Sequence, residues 1–424
     1  GGASMESIAD AAFGKSALAL TTWLVAAVCF FAIVGYAVLL RDLLEPVTDF
    51  IFDNPASDLA DTEGPTLKEN ATMVTVVLIM TPFCTLKTLT ALRAVGAASM
   101  CAILVLGICV TYRSIQCNFF DEYKNTRHQD WSQFVEFTPE SIKDALNALP
   151  LFISCFVCHY NVPLVHNELI RPTKERVRVW LRLSVWSATV FYLVIGFAGS
   201  MYGNCTPTGH IHGNILLDFS ENDPVILVGR LSLAVTIAFA FPMLVIPARD
   251  TLLRQMGYMD SADMEDGAMA VRNTPRVRSD MLVIPGIEDM PNPPELVQPL
   301  LEGADALSPD EDGNIEMNRV LLTDPAMTPR IVLALSIFWT STALACSVTS
   351  IDFVWDLLGS SISIMISYLI PCASLVKIMW NYSKQERTIF PWTATTIIAT
   401  ILTMVFFPLM FISTGNAVYN VFLS

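Results

Sequence analysis

The sequence predicts an all-α polytopic membrane protein, and three observations support that fold class. Of its 424 residues, 53% are hydrophobic and only 15% are charged, whereas soluble domains carry about 25% charged residues. The hydrophobic residues are clustered in runs long enough to cross a bilayer, at roughly 20 residues for each crossing. Turn residues do not interrupt these runs every dozen positions, as a large soluble core would require.

Nine such runs predict nine transmembrane helices, and together they divide the chain into three parts. Helices one to six fall within residues 1–254, a hydrophilic loop occupies 255–328, and helices seven to nine fall within 329–424. The runs lie at about 17–40, 71–88, 92–112, 145–167, 179–202, 224–248, 331–351, 354–380 and 391–413.

The hydrophilic loop carries most of the formal net charge of −15. Between residues 255 and 325 there are 15 acidic residues and four arginines, which gives about −11. Its abundance of Pro, Met and Asp without a sustained period predicts a mostly disordered segment. Two interpretations remain open: a spacer, or a regulatory segment with a cytoplasmic partner. No basic patch for nucleic acid is present, because the basic residues are scattered among short loops.

Basic residues set the predicted orientation, because Lys and Arg concentrate in short cytoplasmic loops. One alternation of the nine spans places most of them on one side, whereas residues 203–222 on the other side contain none. The N-terminus and the acidic loop are therefore predicted to face the cytoplasm, and the C-terminus the outside. The cytoplasmic set is Lys87, Arg93, Arg171, Lys174, Arg176, Arg178, Arg182, Arg249, Arg254, Lys377, Lys384 and Arg387.

The outer side also carries predicted modification sites. Asn70 and Asn204 each begin an N-x-Thr triplet, which is an N-glycosylation acceptor. A third match, at Asn381, falls on the cytoplasmic side and should be silent. Cys117 and Cys205 lie in two outer loops, where an oxidising compartment permits a bridge between them.

Several segments resemble the amino acid/auxin permease family, and its sodium-coupled neutral amino acid transporter branch most closely. SMESIADAAFGKSALAL and GYAVLLRDLL resemble the region of the third helix, and the later segments follow in the family's order. Together they cover nearly all the chain except the acidic loop. The later segments are LKTLTALRAVGAAS, CHYNVPLVHNELIRPTKERV, GNILLDFSENDPVILVGRLSLA, FPMLVIPARD and FVWDLLGSSISIMISYLIP.

The resemblance implies a LeuT-like fold, in which two inverted five-helix repeats and one extra helix make eleven. The nine spans then correspond to the third to eleventh family helices, and the first two are expected to be absent. Because relatives build much of the substrate site from the first helix, the 424 residues by themselves should not transport. The resemblance also supports the Cys117–Cys205 disulfide, since the family carries one between the corresponding loops.

The fourth span contains CFVCH, Cys155 to His159, which matches the haem c attachment pattern. Thioether-forming cysteines normally lie in exported soluble domains, and zinc needs about four converging ligands. The stretch lies within an apolar span, so no metal and no cofactor are expected. An ionisable group in a span tends to face a cavity, which makes His159 a candidate pathway residue, gate or proton-linked switch. A hydrogen-bonded structural histidine is the alternative.

Asn161 and Pro163 weaken the helical ladder beside CFVCH, and broken helices expose backbone groups that bind substrates or ions. The matching family helix is discontinuous and lines the substrate pathway. The resemblance thus assigns pathway-lining roles to further residues of this span, although packing remains the alternative for its cysteines. These residues are Phe152, Ser154, Cys155 and Phe156.

The sixth and eighth spans supply the remaining candidates. Thr236 is the main hydroxyl in the middle of the sixth span, whose Arg230 is expected to snorkel to the outer interface. Sodium-coupled relatives have a threonine shortly before the FP pair, where this chain has alanine, which puts sodium coupling in doubt. In the eighth span, Gly359 and Ser360 are candidates for the pathway, with helix packing as the alternative. Asp356 is a candidate proton site or gate.

These patterns predict a secondary active transporter of amino acids, with neutral amino acids as the expected substrates. Coupling to sodium or to protons stays open, as does the choice between the plasma membrane and a vacuolar or lysosomal membrane. Two alternatives remain: a transporter-like sensor that signals through its acidic loop, and an inactive truncated transporter. No enzymatic nucleophile–base pair, P-loop or HExxH motif is present, so an enzyme is not expected.

Overall fold

The computed structural model is helical throughout the part of the chain that it describes. That part comprises residues 4–52, 67–86, 93–120, 142–162, 173–206, 211, 214–220, 223–258, 327–348, 354–356, 358–385 and 392–422. Within it the α-helices are α1 Met5–Phe13, α2 Lys15–Phe52, α3 Leu67–Cys84, α4 Arg93–Phe119, α5 Ile142–Cys155, α6 Lys174–Tyr202, α7 Pro224–Gln255, α8 Met327–Ala345, α9 Ile370–Gln385 and α10 Ala394–Phe422.

Two π-helical segments, Leu358–Ile362 and Met365–Leu369, lead into α9, and the span formed by all three is called the π-span below. Two short 3₁₀ segments, Gly203–Cys205 and Ile215–Leu217, lie between α6 and α7. A π turn bonds each amide to the carbonyl five residues back, which widens the backbone; such turns are frequent at functional sites.

Seven helices in the described residues are long and apolar enough to cross a bilayer. They confirm an all-α polytopic membrane protein. Two of the nine predicted spans are shorter than a crossing in the described residues: the apolar part of α3 is Asn70–Cys84, and α5 has 14 residues. The count of nine and the LeuT-like repeats therefore stay predictions. Residues 259–326, which make up most of the predicted acidic loop, lie outside the described part of the chain.

The centre of the bundle is formed by α2 and α7, which pack against each other and against α8. More than half of the apolar stretch of each is buried, 56% in α2 and 61% in α7, against 6% in α6 and 11% in α10. Phe241 of α7 meets Phe338 of α8 with ring centroids 5.3 Å apart, and both side chains are fully buried. The helices α6 and α10 are thus peripheral within the described structure.

Three buried arginines donate hydrogen bonds to backbone carbonyls that lie outside the α-helices. Arg41 of α2 donates to the carbonyl of Val348 at 3.0 Å, just beyond the end of α8. Arg249 of α7 donates to the carbonyl of Leu86 at 2.9 Å, just beyond the end of α3. The last carbonyls of a helix have no partner of their own, and a cation there also complements the helix dipole.

Arg230, the third of these arginines, does not snorkel as expected. Its side chain is 1% exposed, and it donates to the carbonyls of Leu216 and Phe219 in the segment before α7. The expectation of an interfacial arginine was wrong, because residues 214–220 fold over the start of α7 and cover the guanidinium with backbone acceptors.

The amphipathic α1 packs against α2 and α9, at the end of the bundle that is predicted to face the cytoplasm. Ser4 and Ser7 form a reciprocal capping box at its start, and Gly14 at φ 88° turns the chain into α2. The Glu6 carboxylate accepts a hydrogen bond from the Thr251 hydroxyl of α7 at 3.2 Å. The contact anchors α1 to the inner end of α7.

On the outer side, the end of α4 is joined to the end of α6. The structure brings Cys117 and Cys205 together with their Cα atoms 6.4 Å apart, inside the range that a disulfide spans. Asn118 donates from Nδ2 to the Met201 carbonyl at 2.9 Å, and Arg113 forms an ion pair with Asp223. The structure therefore supports the predicted pairing of the two outer cysteines.

The predicted glycosylation sites lie at the ends of two helical segments. Asn70 lies in the first turn of α3, and the backbone of Asn204 lies in the 3₁₀ segment after α6. Their modification stays a prediction.

We expect Cys117 and Cys205 to form a disulfide in protein purified without reductant. Peptide mapping by mass spectrometry should find the linked pair, and the link should be lost in Cys117→Ser. Because the bridge closes a separation of 88 residues, its loss should lower unfolding stability by about 2–4 kcal/mol.

Cys101→Ser is the matched control, because this exposed thiol of α4 is unbonded in the structure. It should leave both the linked peptide and the melting temperature unchanged. Recovery of Cys117 and Cys205 as free thiols in the unreduced protein would contradict the pairing.

Candidate functional site

The candidate site lies where α5 ends, at the first residue of the CFVCH stretch. The helix ends at Cys155, residues 156–160 leave the α ladder, and a helical turn resumes at Asn161. The predicted break is thus present, but it lies before Asn161 rather than at the Asn161–Pro163 pair. Two hydrogen bonds between residues three apart close the helix end. The Phe156 amide donates to the Ile153 carbonyl at 3.3 Å, and the Val157 amide donates to the Ser154 carbonyl at 3.2 Å.

Side chains from α6 and α2 support the broken end of α5. The Tyr192 hydroxyl donates to the carbonyl of Cys155 at 3.1 Å, and its ring meets Phe156 edge-on at 5.5 Å. On the other side of the break, Tyr160 packs against the core cluster that includes Cys29 of α2. Membrane hydrocarbon offers no water to a freed carbonyl, so these contacts fix the place where the helix can end.

Gly359 of the π-span lies directly against α5. A Cβ atom at this position would overlap the carbonyl oxygen of Pro150 and would lie 2.7 Å from the Ser154 hydroxyl oxygen. Only glycine permits this approach, so packing accounts for Gly359 and at the same time places it beside the candidate pathway. Ser360, fully buried, accepts a hydrogen bond from Thr414 of α10 at its carbonyl.

The pathway candidates of α5 divide into exposed and buried groups. Phe152 is 68% exposed, and Cys155 and Cys158 are exposed too. Ser154 Oγ and His159 Nδ1 are buried and have no hydrogen-bond partner among the described residues. The His159 ring lies 6.2 Å from the ring of Tyr368 in the π-span. The structure thus brings Ser154 to Gly359 and His159 to Tyr368.

Two candidates belong to other surroundings. The Thr236 hydroxyl donates to the carbonyl of Ser232 in its own helix at 3.0 Å. Asp356 is partly buried in the short helical stretch 354–356 that precedes the π-span. Neither is shown in contact with the broken end of α5, and their roles in the pathway stay predictions.

Sequence reasoning missed Tyr192, Tyr368 and the π winding. An aromatic residue in an apolar span carries no signal of its own, because only the folded chain shows which backbone group it meets. Ser363 and Ser367 did carry a signal in the sequence, because they follow Gly359 at intervals of four residues.

These features define a class: a multi-helix membrane protein with an interrupted helix whose polar groups face the interior, which is the arrangement of a small-solute transporter. The family model for transmembrane amino acid transporter proteins matches residues 1–418. The chain therefore belongs to that family, which is the amino acid/auxin permease family that the sequence resembles. It is a family of transporters and not of enzymes.

Curated relatives include vacuolar proteins from two yeasts. The chain is 27% identical over 249 residues to vacuolar amino acid transporter 5 of Schizosaccharomyces pombe, across 58% of this chain and 54% of the relative. It is 22% identical over 350 residues to vacuolar amino acid transporter 5 of Saccharomyces cerevisiae, across 82% and 69%. A human protein named for sodium-coupled neutral amino acid transport matches at 30% over 100 residues, 24% of each chain.

The matched part spans about half to two thirds of the length of the yeast relatives. The match to the sodium-coupled branch is present but short, and the vacuolar proteins match over longer stretches. The chain is confirmed as an integral membrane protein. The vacuolar membrane, given in the names of the yeast relatives, is one of the predicted membranes.

We expect Gly359→Ala to destabilise the protein, because the added methyl group meets the backbone of Pro150 rather than a movable side chain. Overpacking of this kind costs about 1–3 kcal/mol or more, and the melting temperature in detergent should fall. Gly196→Ala is the control, since a Cβ there meets nothing within 4 Å. Equal melting temperatures for the two variants would contradict the close contact.

We also expect Tyr192→Phe to loosen the broken end of α5. The change removes one hydrogen bond to a carbonyl that has left the helical ladder, which should cost about 1 kcal/mol. Thermal unfolding in detergent measures the loss, and Tyr382→Phe on exposed α9 surface provides the matched control. A loss of the same size in the control would mean that the Cys155 contact contributes nothing specific.

Proposed function

We propose that this chain forms the pathway-bearing part of a secondary active transporter of amino acids that works by alternating access. The observation that carries the proposal is the interruption of α5 between Cys155 and Asn161, inside a bundle of membrane helices. An interrupted helix offers backbone groups near the middle of the membrane, and membership of an amino acid transporter family gives them a substrate class.

The chemistry of the interruption suits the common part of an amino acid. A zwitterion presents a carboxylate, which accepts from amide N–H groups, and an ammonium group, which donates to carbonyls. Short turns occupy the amides of Phe156 and Val157, and the rest of the 156–160 backbone, which has left the α ladder, can supply both kinds of partner. Phe152, Ser154, Cys155 and Phe156 border this stretch and carry no charge, which favours substrates with neutral side chains.

The arrangement of rigid and loosely held parts supports alternating access. Buried arginines and a large apolar core hold α2, α7 and α8 together. By contrast, only 6% of the apolar stretch of α6 is buried in the described structure, and α5 packs on the π-span at Gly359 and on α10 around Ile153. We propose that α5 and α6 move against the core, with Gly359 as the contact about which α5 shifts.

Two groups bear on the coupling ion. His159 lies at the break with Nδ1 buried, so a proton there would alter the charge of the pathway. Thr236, the hydroxyl nearest the expected sodium position, is engaged within its own helix, and Ala238 and Ala240 stand where sodium-coupled relatives have a threonine. We propose coupling to protons, or exchange, ahead of coupling to sodium.

We expect uptake of labelled alanine or glutamine by the protein encoded by the complete reading frame that contains these residues. Measured in vesicles, uptake should follow an imposed pH gradient and should be unchanged when choline replaces sodium. His159→Ala should reduce pH-driven uptake at least tenfold, and Thr236→Val should change it less than twofold.

The variants separate the two ions. A large loss in Thr236→Val together with dependence on sodium would overturn proton coupling while leaving transport intact. Absence of uptake for every labelled amino acid, in correctly folded protein under both gradients, would overturn the proposal itself.

A further inference from the structure

The π-span carries a line of serines that the proposed pathway does not yet use. Ser363 and Ser367 follow Gly359 at intervals of four residues, and Ser374 follows seven residues later in the α-helical part. Their side chains are 0%, 4% and 0% exposed. None of the three hydroxyl oxygens has a hydrogen-bond partner among the described residues.

The winding of the π-span puts these serines close to one line. A π turn bonds residues five apart and so holds more residues than the 3.6 of an α turn, which brings positions four apart near to alignment. Ser374 lies beyond the second π segment, in the α-helical part that begins at Ile370. We call the line Gly359–Ser363–Ser367 the serine seam.

Apolar contacts on either side fix where the serine seam lies. Ile366 packs into the core that α2 and α7 share. Ile364 and Leu369 pack with Ile153 of α5 and with Phe406 of α10. Ser363 and Ser367 therefore lie at the boundary between the core and α5, and not against lipid.

The α5 side of that boundary carries polar atoms as well. Ser154 Oγ lies at the level of Gly359, and the His159 ring lies at the level of Tyr368, next to Ser367. Since contacts advance along both segments together, α5 and the π-span run parallel. Two unpartnered polar atoms, Ser154 Oγ of α5 and His159 Nδ1 of the break that follows it, are thus matched in order to the serines of the π-span.

Buried hydroxyls without partners are costly, and proteins satisfy such groups with ordered water where a site offers two to four polar contacts. Here two facing segments each supply several such groups. The described side chains along the seam include no carboxylate and no Lys or Arg, so the chemistry is that of neutral oxygen donors and acceptors.

We propose that the serine seam is a water-filled track, which continues the pathway from the break in α5 along the π-span past His159. Its hydration stands independently of transport. Only its role, to carry water and polar solute beside the break, rests on the proposed function.

Cysteine reactivity tests the track, because methyl methanethiosulfonate attacks the thiolate, which forms in water and not in a dry apolar contact. In the full chain, Ser363→Cys and Ser367→Cys should react at least tenfold faster than Ile364→Cys and Ile366→Cys. These controls lie at the same depth, with both isoleucines fully buried. Mass spectrometry that resolves the modified site allows the native cysteines to remain.

Slow reaction at all four positions in folded protein would overturn the track. So would a difference that vanishes when choline replaces sodium, or protection of the two seam positions by sodium alone, because the hydroxyls would then hold a cation rather than water. None of these results depends on uptake, so none of them would overturn the transport proposal.

Stability supplies a second measurement in case a cysteine variant does not fold. If the hydroxyls are hydrated, Ser363→Ala with Ser367→Ala should leave the melting temperature unchanged or lower it, since bound water loses its partners. A rise in the melting temperature would mean that the hydroxyls are dry and unsatisfied, and would overturn the track.

Discussion

The hydrogen bond from Tyr192 to the Cys155 carbonyl answers a constraint that governs the whole molecule. Backbone groups within a bilayer have no water with which to form hydrogen bonds, so each group freed from a helix needs a partner in the protein. Where α5 ends, a tyrosine supplies it. Where α3 and α8 end, Arg249 and Arg41 supply it from the central helices. The ends of α3, α5 and α8 are therefore fixed from the side, by neighbouring helices.

The same constraint shapes the interior of the helices. Prolines lie within five of them, at positions where a soluble helix would be penalised for the lost bond. Hydroxyl side chains return to carbonyls of their own helix, as Thr342 does to Phe338 and Thr236 to Ser232. A few buried polar groups differ, because they have no hydrogen-bond partner among the described residues. Ser154, His159 and the serine seam form the largest such set beside the break.

Close approach between backbones explains why these polar groups lie along one boundary. Gly359 lets the π-span touch α5 without an intervening side chain, and the widened π turns that follow align Ser363 with Ser367. A side chain at 359 would separate the two segments and open the boundary to lipid. One contact thus accounts for the packing at Gly359 and places it beside the proposed pathway, so the alternative interpretations of Gly359 from sequence are not exclusive.

The sequence by itself determined the membrane class, most of the spans, the two outer cysteines that meet, and the family, because runs of apolar residues and short motifs are local properties. It located the break in α5 only to within a few residues, since Asn161 and Pro163 weaken a helix but do not choose where it ends. Tertiary structure decided that place, because Tyr192 satisfies the freed carbonyl of Cys155 from another helix. It also buried Arg230 under residues 214–220, since burial depends on neighbours that are distant along the chain.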